Sequence, residues 1–586
     1  MKAFLGTKFD GHDTAAFLLV PEKRSAYGVA TERLTRIKHD RLSPLRAILE
    51  VIKSARDDLG DVDEVVCADC FSSRRDRLVQ SSAYLKELHR RQLTPNVAEL
   101  AFAETAPELE SVASAMRRTL DVCFPAKRVK LRHFDHEYCH ARSAFHFSPF
   151  EQALVLTLDG SGDYGVFSRV YQASGRTLAE VAASASDLRI LSRQAEQSFS
   201  KPASLGGLYS YFTHLLGYEP NCEEGKVEAL AAFGQPVPDI SAALARSCSI
   251  SVERGRLHID PIGIAQLVSL TDRGVEEARR ADLAATIQVF LESIVSDYVA
   301  LLMQTTGSRA LCVGGGVFAN VLLNMRLTRK VDNRIYIAPA MGDDGSAQGA
   351  AIAAFVHEVP TADLAWLAER AMPYFGPSFG VEDVRNALRE HDGKFNIETV
   401  GANAAETISA RIASGQVGAL FQGCAEFGPR ALGNRSILAS PAHARIRERI
   451  NLEIKHRPSF QPVCPAILSD ERERLFDGAY ANLHMTCAFQ MKPEYHRFLE
   501  GAIHVDGTSR VQFVDRETNP FLFEVLLRLK ELTGFGVVLN TSFNIHGRPM
   551  VNSPAHALRD FLDAGLDFLF IEGILVTPQK LEPAMR

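Results

Sequence analysis

The sequence predicts an α/β protein in two domains, and three patterns predict it. Strand-like apolar runs flank polar glycine turns at residues 2–20 and again at 151–172. Strand, glycine turn and helix follow one another at 308–324 and at 334–355, which is the grammar of a doubly wound sheet whose strand ends line a ligand crevice. Beyond the Pro- and Gly-rich PYFGPSFG at 373–380 the character of the chain changes, so the boundary is set near residue 370, giving domains 1–370 and 371–586. At 586 residues the chain also exceeds the length over which a single core keeps growing.

Residues 2–20 read as two strands, KAFLGTKF and TAAFLLV, around the turn DGHD; residues 151–172 repeat that plan with ALVLTL, DGSGDYG and VFSRVYQ. Such units present backbone N–H groups to phosphates in folds of the actin and sugar-kinase type, and they also make ordinary hairpins. Cys67 and Cys70 form a C-x-x-C at the end of a strand-like run with no second pair at zinc-ribbon spacing, so a strand end packed in a core is expected there.

Residues 136–146, HEYCHARSAFH, begin as a zinc-peptidase signature: His136, Glu137 and His140 fit H-E-x-x-H, and His146 falls where the longer form has its third ligand. Ser143 stands where that form needs a glycine to turn the backbone out of the helix. With Ser143 helical, His146 lies about 120° around the axis from His140 and cannot join it. His136 and His140, four apart, share one face, which leaves open a metal pair completed from elsewhere.

Helical apolar spacing covers 285–307. In the two turns that follow, Gly314, Gly315 and Gly316 permit a close backbone approach, and Asp343 and Asp344 offer hard anionic ligands; a tight turn and a helix cap would use the same residues. In the second domain, residues 417–441 run strand, irregular loop, strand, with Arg430 and Arg435 among glycines. Lys455, His456 and Arg457 follow, and Asn540, Thr541, Ser542 and Asn544 come directly after a hydrophobic strand. Arginine forks beside glycine-rich backbone suit phosphate oxygens, and Asn and Thr at a strand end suit orientation of a polar ligand. RIRER at 445–449 reads as a solvated helix face.

Hydrophobic residues at 46% and charged residues at 23% are those of an ordinary globular protein, and the net charge of −6 argues against a dedicated nucleic-acid binder. No apolar run approaches the roughly 18 residues of a membrane span and no signal peptide is recognisable, so a cytoplasmic location and no membrane partner are expected. Ten scattered cysteines suit reduced thiols.

In order along the chain, GHDTAA (11–16), ERLTRIKHD (32–40), HEYCHARSAF (136–145), TLDGSGDYG (157–165), EEGKVEALAAFG (223–234), GGGVFANVLLN (314–324), GDDGSAQGAA (342–351), EFGPRALGNRSILA (426–439), INLEIKHR (450–457) and NTSFNIHGRPMV (540–551) resemble the motifs of the NodU/TobZ type of O-carbamoyltransferase. The resemblance implies a Kae1-like duplicated domain of the actin/hexokinase superfamily followed by a YrdC-like twisted α/β domain. It implies that carbamoyl phosphate and ATP, with Mg, form a carbamoyl-adenylate whose carbamoyl group passes to an alcohol of a natural product or antibiotic. On its pattern Fe(II) or another divalent metal is held by His136, His140 and Asp343, with Asp159 as a fourth ligand and catalytic group and Asp344 one register away as the alternative to Asp343. His12 and His39 are catalytic candidates for contacting the transferred group or deprotonating the acceptor. Gly160, Ser161, Gly162, Lys226, Gly314, Gly315, Gly316 and Asn320 would face the adenylate in the first domain. Arg430, Asn434, Arg435, Lys455, Arg457, Asn540, Ser542 and Asn544 would hold carbamoyl phosphate and ATP in the second. Arg548 departs from the acidic residue many relatives carry there and is given no role.

The chemistry is coherent in itself: an alcohol is a poor nucleophile and a carbamoyl group a poor electrophile, so the reaction needs an activated carbonyl, a positioned hydroxyl and charge stabilisation. Three other readings compete: a zinc peptidase with Glu137 as base, a non-catalytic nucleotide-binding regulator, and a threonylcarbamoyl-type transferase acting on tRNA. The phosphate-type loops, the second domain and the acidic charge balance speak against them in turn.

Overall fold

The computed structural model describes residues 1–9, 12–40, 44–70, 117, 119–186, 202–271, 279–391, 393–545 and 547–579. Asp10 and Gly11 of the DGHD turn, and His546, lie outside them. The chain divides into two compact units: Met1–Thr31 with His39–Arg370, and Ala371–Arg586 with Glu32–Lys38.

In the first unit, β1 (Lys2–Lys8), β2 (Ala15–Val20), β3 (Ser25–Ala30), β4 (Glu64–Cys70) and β5 (Arg128–Phe134) form one sheet in the order β3-β2-β1-β4-β5. β1 pairs antiparallel with β2 and β2 with β3, whereas β1–β4 and β4–β5 are parallel. Helix α1 (His136–His146) leads into a second sheet of β6 (Gln152–Leu158), β7 (Val166–Ser174) and β8 (Thr177–Ala185). A separate hairpin, β9 (Cys248–Ser251) with β10 (Arg256–Ile259), precedes the last two strands of that sheet, β11 (Leu311–Gly314) and β12 (Ile335–Ile337). Its order, β8-β7-β6-β11-β12, and its pairing senses reproduce the first sheet strand for strand. The first unit is therefore a duplicated α/β fold of the actin/hexokinase type. The parallel part is confined to β6, β11 and β12, so the second sheet is mixed where the sequence reads as doubly wound. Cys67 and Cys70 are buried free thiols in β4.

Three further helices are α2 (Arg280–Thr306), α3 (Val321–Lys330) and α4 (Asp343–Glu358). α2 is long and apolar enough to cross a bilayer, against the expectation that no apolar run approaches that length; 56% of its most apolar stretch is buried inside the fold. α4 packs on β1 and β4 on one side and on α1 on the other, while α1 rests on β6 and β11. Small residues make this layering tight. A Cβ on Gly6 of β1 would come within 1.9 Å of the Ala347 carbonyl in α4, and one on Gly349 of α4 within 1.8 Å of the Cys139 carbonyl in α1. The two helices are thereby stacked between the two sheets with backbone close to backbone.

The second unit contains β13 (Phe395–Thr399), β14 (Gly418–Phe421), β15 (Arg435–Ala439), β16 (Pro465–Leu468), β17 (Ala488–Gln490), β18 (Thr508–Arg510), β19 (Gln512–Val514), β20 (Val537–Ser542), β21 (Phe568–Ile571) and β22 (Ile574–Pro578). Eight of them form a mixed sheet, β13-β22-β21-β14-β15-β20-β16-β19, and β17 pairs with β18 apart from it. Alternate side chains feed two cores, as the two-residue strand period requires. Phe421, Ile437, Leu539 and Leu569 pack under α5 (Val381–Arg389) and, later in the chain, Ala557 and Phe561 of the helix at Pro554–Asp563. Leu420, Leu438, Val538 and Phe570 pack on the other face under α6 (Ala404–Ala413) and α7 (Pro520–Thr533).

Candidate functional site

The layering of the first unit brings the beginnings of α1 and α4 and the ends of β6 and β11 to one place. Asp135 caps α1, its side chain accepting from Tyr138 N at 3.0 Å, so that His136 and His140 leave the first turns on one face. His136 Nε2 lies 3.1 Å from His140 Nε2, 3.0 Å from Asp159 Oδ2 and 3.4 Å from Asp343 Oδ1. His140 Nε2 lies 3.5 Å from Asp159 Oδ2 and 3.7 Å from Asp343 Oδ1. Donors about 2.1 Å from a common ion sit about 3.0 Å apart at a right angle and about 3.4 Å apart at a tetrahedral angle. The separations bracket those values, and two imidazoles with two carboxylates form a donor set for iron, zinc or manganese. These four residues fit a divalent metal. Asp343, not Asp344, supplies the oxygen; Asp344 Oδ1 instead accepts from Gly345 N.

The electrostatics match. Burial alone would raise the Asp343 pKa, yet Lys8, His136 and His12 hold it well below the carboxylate range, and His136 and His140 hold Asp159 low in the same way. Burial disfavours protonated rings, but the two carboxylates raise the His140 pKa to about 9 and His136 well above its usual value. Asp159 Oδ1 accepts from Gly160 N at 2.8 Å and Gly316 N at 3.3 Å, which turns Oδ2 toward the histidines. His146 is elsewhere: its Nε2 accepts from Arg142 Nη1 at 2.8 Å, and burial and that guanidinium push its pKa down. Glu137 is fully buried, and burial and Asp159 raise its pKa to about 7.

Next to the cluster, Asp13 holds two histidines, His12 Nδ1 at 2.9 Å from one oxygen and His39 Nδ1 at 2.9 Å from the other. His12 Nδ1 is also 3.8 Å from Asp343 Oδ2. Burial works against the charged His39 ring, but Asp13 reverses this and, with Cys222, brings its pKa to about 10. Asp13 and His39 both have left-handed backbone, φ 57 and 52, a conformation costly for such residues and held here by the tertiary contacts.

The remaining first-unit candidates are placed as follows. Gly160 and Ser161 lie on the turn after Asp159, where a Cβ on Gly160 would meet nothing within 4 Å. Gly162 is closed in by the Val166 carbonyl at 2.7 Å. Gly314 and Gly315 face protein: a Cβ on Gly315, at φ +98, would meet the Leu158 carbonyl at 2.2 Å. Lys226 is paired with Glu223. Asn320 caps α3, accepting from Leu323 N at 2.9 Å, and exchanges hydrogen bonds with Gln288 of α2.

In the second unit Lys455 is buried, and its ammonium donates to Ser542 Oγ at 3.1 Å, Asn544 O at 3.0 Å and Asn544 Oδ1 at 2.5 Å. Arg435, wholly buried against the Phe421 ring, donates to the carbonyls of Gln422, Asn434, Pro377 and Gly423. Arg457 donates to Asn451 Oδ1 and the Pro462 carbonyl. Among the described residues, every hydrogen-bond acceptor of these three cations is a neutral oxygen. Burial lowers the Lys455 pKa well below normal, with Arg457 and Lys38 adding to it, and lowers Arg435 and Arg457 to about 10. Glu426 and Glu572 offset part of this at Arg435 and Asp560 part of it at Lys455, so the group's charge is only partly balanced from within, which suits an anion. Asn434 donates to the Cys424 carbonyl and Asn540 to the Ala431 carbonyl and Gln512, while Arg430 is half-buried in the loop.

Two stretches decide the family. The sequence matches the family described as carbamoyltransferase N-terminus over residues 3–352 and that described as carbamoyltransferase C-terminus over 409–578. The chain belongs to the carbamoyltransferase family. It is 37% identical to protein MJ1058 of Methanocaldococcus jannaschii across 98% of this chain and 99% of that one. It is 32% identical to nodulation protein NolNO of Sinorhizobium fredii across 98% and 80%, and 29% identical to nodulation protein U of the same organism across 73% and 75%. Of solved structures, full-length HypF in its phosphate- and nucleotide-bound form covers 62% of this chain and 56% of its own at 14% identity and a TM-score of 0.36.

Sequence reasoning about this carbamoyltransferase missed three residues. Glu426 Oε1 accepts from Leu432, Asn434 and Arg435 N, folding the GPRALGNR loop around one carboxylate. A lone acid at the head of a glycine-rich basic loop was the available signal. Asp13 sits in the GHDTAA motif beside His12 and could have been read with it. Lys8, whose Nζ lies 3.2 Å from Asp343 Oδ2, had no signal at all, being 335 positions from its partner. Arg548, left without a role, pairs with Asp560 and Asp563 at 2.8 Å each.

Proposed function

We propose that this enzyme is an ATP- and metal-dependent O-carbamoyltransferase that moves the carbamoyl group of carbamoyl phosphate, through carbamoyl-adenylate, to a hydroxyl of a small natural-product or antibiotic acceptor in the cytoplasm. The observation that carries it is the pairing of two unlike sites in one chain of this family: a two-His, two-Asp cluster in the first unit and a group of buried cations hydrogen-bonded to neutral oxygens in the second. Lys455, Arg457 and Arg430 balance the phosphates of carbamoyl phosphate and ATP, while Arg435, closed in by four carbonyls, holds the loop, and Asn434, Asn540, Ser542 and Asn544 set the orientation of Lys455 and of the loop. The second unit then makes the carbamoyl-adenylate: water releases phosphate from carbamoyl phosphate, and the resulting carbamate oxygen displaces pyrophosphate from the ATP α-phosphorus.

In the first unit the adenylate meets the open turn at Gly160 and Ser161 and Gly316, with Lys226 and Asn320 completing that wall, while Gly162, Gly314 and Gly315, packed on protein, shape it. His39 and His12, whose pKa values Asp13 and Asp343 raise, contact the transferred carbamoyl group as hydrogen-bond donors. A divalent ion held by His136, His140, Asp159 and Asp343, iron(II) by the resemblance, would supply polarisation of the carbonyl or a lower hydroxyl pKa.

The test separates the two half-reactions. With Fe(II), Mg-ATP, carbamoyl phosphate and a panel of alcohols, the protein should yield AMP and a product heavier by the replacement of H with CONH2. His140→Ala should lose transfer and keep pyrophosphate release; Lys455→Met should lose both by roughly a hundredfold. Pyrophosphate release that ignores carbamoyl phosphate would sink the proposal.

A further inference from the structure

Asp343 has two oxygens and the cluster uses one. Oδ1 faces His136 and His140, whereas Oδ2 faces Lys8 Nζ at 3.2 Å, with His12 Nδ1 next at 3.8 Å. Lys8 is the last residue of β1 and its side chain is 1% exposed, so an ammonium has been placed in the interior at considerable desolvation cost, with this carboxylate as its counter-ion. The other carboxylate shows the same division of labour: Asp159 turns Oδ2 to the histidines while Gly160 N and Gly316 N occupy Oδ1. Each acid thus offers one oxygen and has the other engaged by a donor.

We propose that Lys8 is a positioning residue that keeps Asp343 a one-oxygen ligand, so that the two histidines and two aspartates supply four donors and leave coordination positions open for substrate oxygens. A carboxylate free to chelate would fill a fifth position and donate more negative charge. The ammonium prevents the first by holding Oδ2 and reduces the second by drawing charge away, which makes a bound ion the better Lewis acid. The inference rests on the reading of the cluster as a divalent-metal site and deepens it.

Lys8→Met removes the charge and nearly preserves the volume. In the cobalt(II)-loaded full-length protein this variant, relieved of the ammonium's repulsion of the ion, should bind metal about tenfold more tightly in chelator competition. Its d–d absorption should weaken as Asp343 takes a second bond, and carbamoyl transfer should slow. Lys8→Arg should restore the wild-type spectrum. A residue needed only for packing would give the opposite sign, weaker binding. If Lys8→Met does not fold, the unaltered protein still decides: its metal-minus-apo infrared difference spectrum should show the wide carboxylate splitting of one-oxygen coordination. Narrow, chelate-type splitting, or a Lys8→Met protein with unchanged cobalt spectrum and affinity, would overturn the role of Lys8. Failure of the unaltered protein to bind cobalt at all would overturn the metal reading and this inference with it.

Discussion

At the residue scale the first unit's centre is a balance of protons. His140, its pKa raised to about 9 by Asp159 and Asp343 against burial, is protonated at neutral pH in the absence of metal, and the same carboxylates raise His136. A metal must displace those protons to reach the nitrogens. Metal addition at pH 7 should therefore release protons, measurable in a pH-stat, and apparent affinity should climb with pH until it levels near pH 9. The Asp13 pair gives a second expectation. His39 has a raised folded-state pKa, so its contribution to stability is complete below its ordinary value near 6.5 and is lost as pH rises through about 10. Asp13, held low chiefly by hydrogen bonds from His12 and His39 against burial, contributes above its ordinary value and loses this as pH falls. Urea midpoints of the wild type should decline from pH 6.5 toward 10 relative to Asp13→Asn, in which that slope should flatten.

At the element scale the decisive fact is the approach of α4 to its neighbours. Gly349→Ala would drive a methyl into the Cys139 carbonyl of α1, separating the helix that carries Asp343 from the one that carries the histidines. A loss of about 3 kcal/mol in unfolding free energy is expected, together with a larger loss of bound metal by elemental analysis than global unfolding explains. The elements themselves were largely legible. The apolar runs and glycine turns that mark β1, β2, β6, β7, β11 and β12 are local patterns, and so is the four-residue spacing of His136 and His140. What was not legible depends on packing. GGG at 314–316 reads as a phosphate turn, yet the contacts that require glycine at 314 and 315 are with the His140 and Leu158 carbonyls. Arg435 reads as a fork for phosphate oxygens, yet it is buried beneath four carbonyls. No spacing rule distinguishes a cation exposed to ligand from one closed in by its own loop.

At the scale of the whole molecule the chain is not partitioned at a single point. Residues Glu32–Lys38 belong to the second unit, where Arg33 Nη2 donates to the Gly428 carbonyl at 2.6 Å and Arg36 to the Pro549 carbonyl at 2.7 Å. Arg36 also shares the buried Asp560 with Arg548. Asp560→Ala leaves both guanidiniums without that anion and should cost about 3 kcal/mol by equilibrium denaturation, against about 1 kcal/mol for the half-exposed Arg548→Ala. Equal effects would mean that Arg36 gains nothing from the pair.

The Arg36–Asp560 contact spans 524 residues of sequence. At about 5–20 residues per second, a ribosome takes from roughly half a minute to nearly two minutes to make the partner after the arginine has emerged. During that interval the first unit has most of its own chain, while the short segment threaded through its sequence still waits for its binding surface. Synthesis order therefore imposes a sequence of events on folding: residues 32–38, made among the first, take their place only once the second unit has been made.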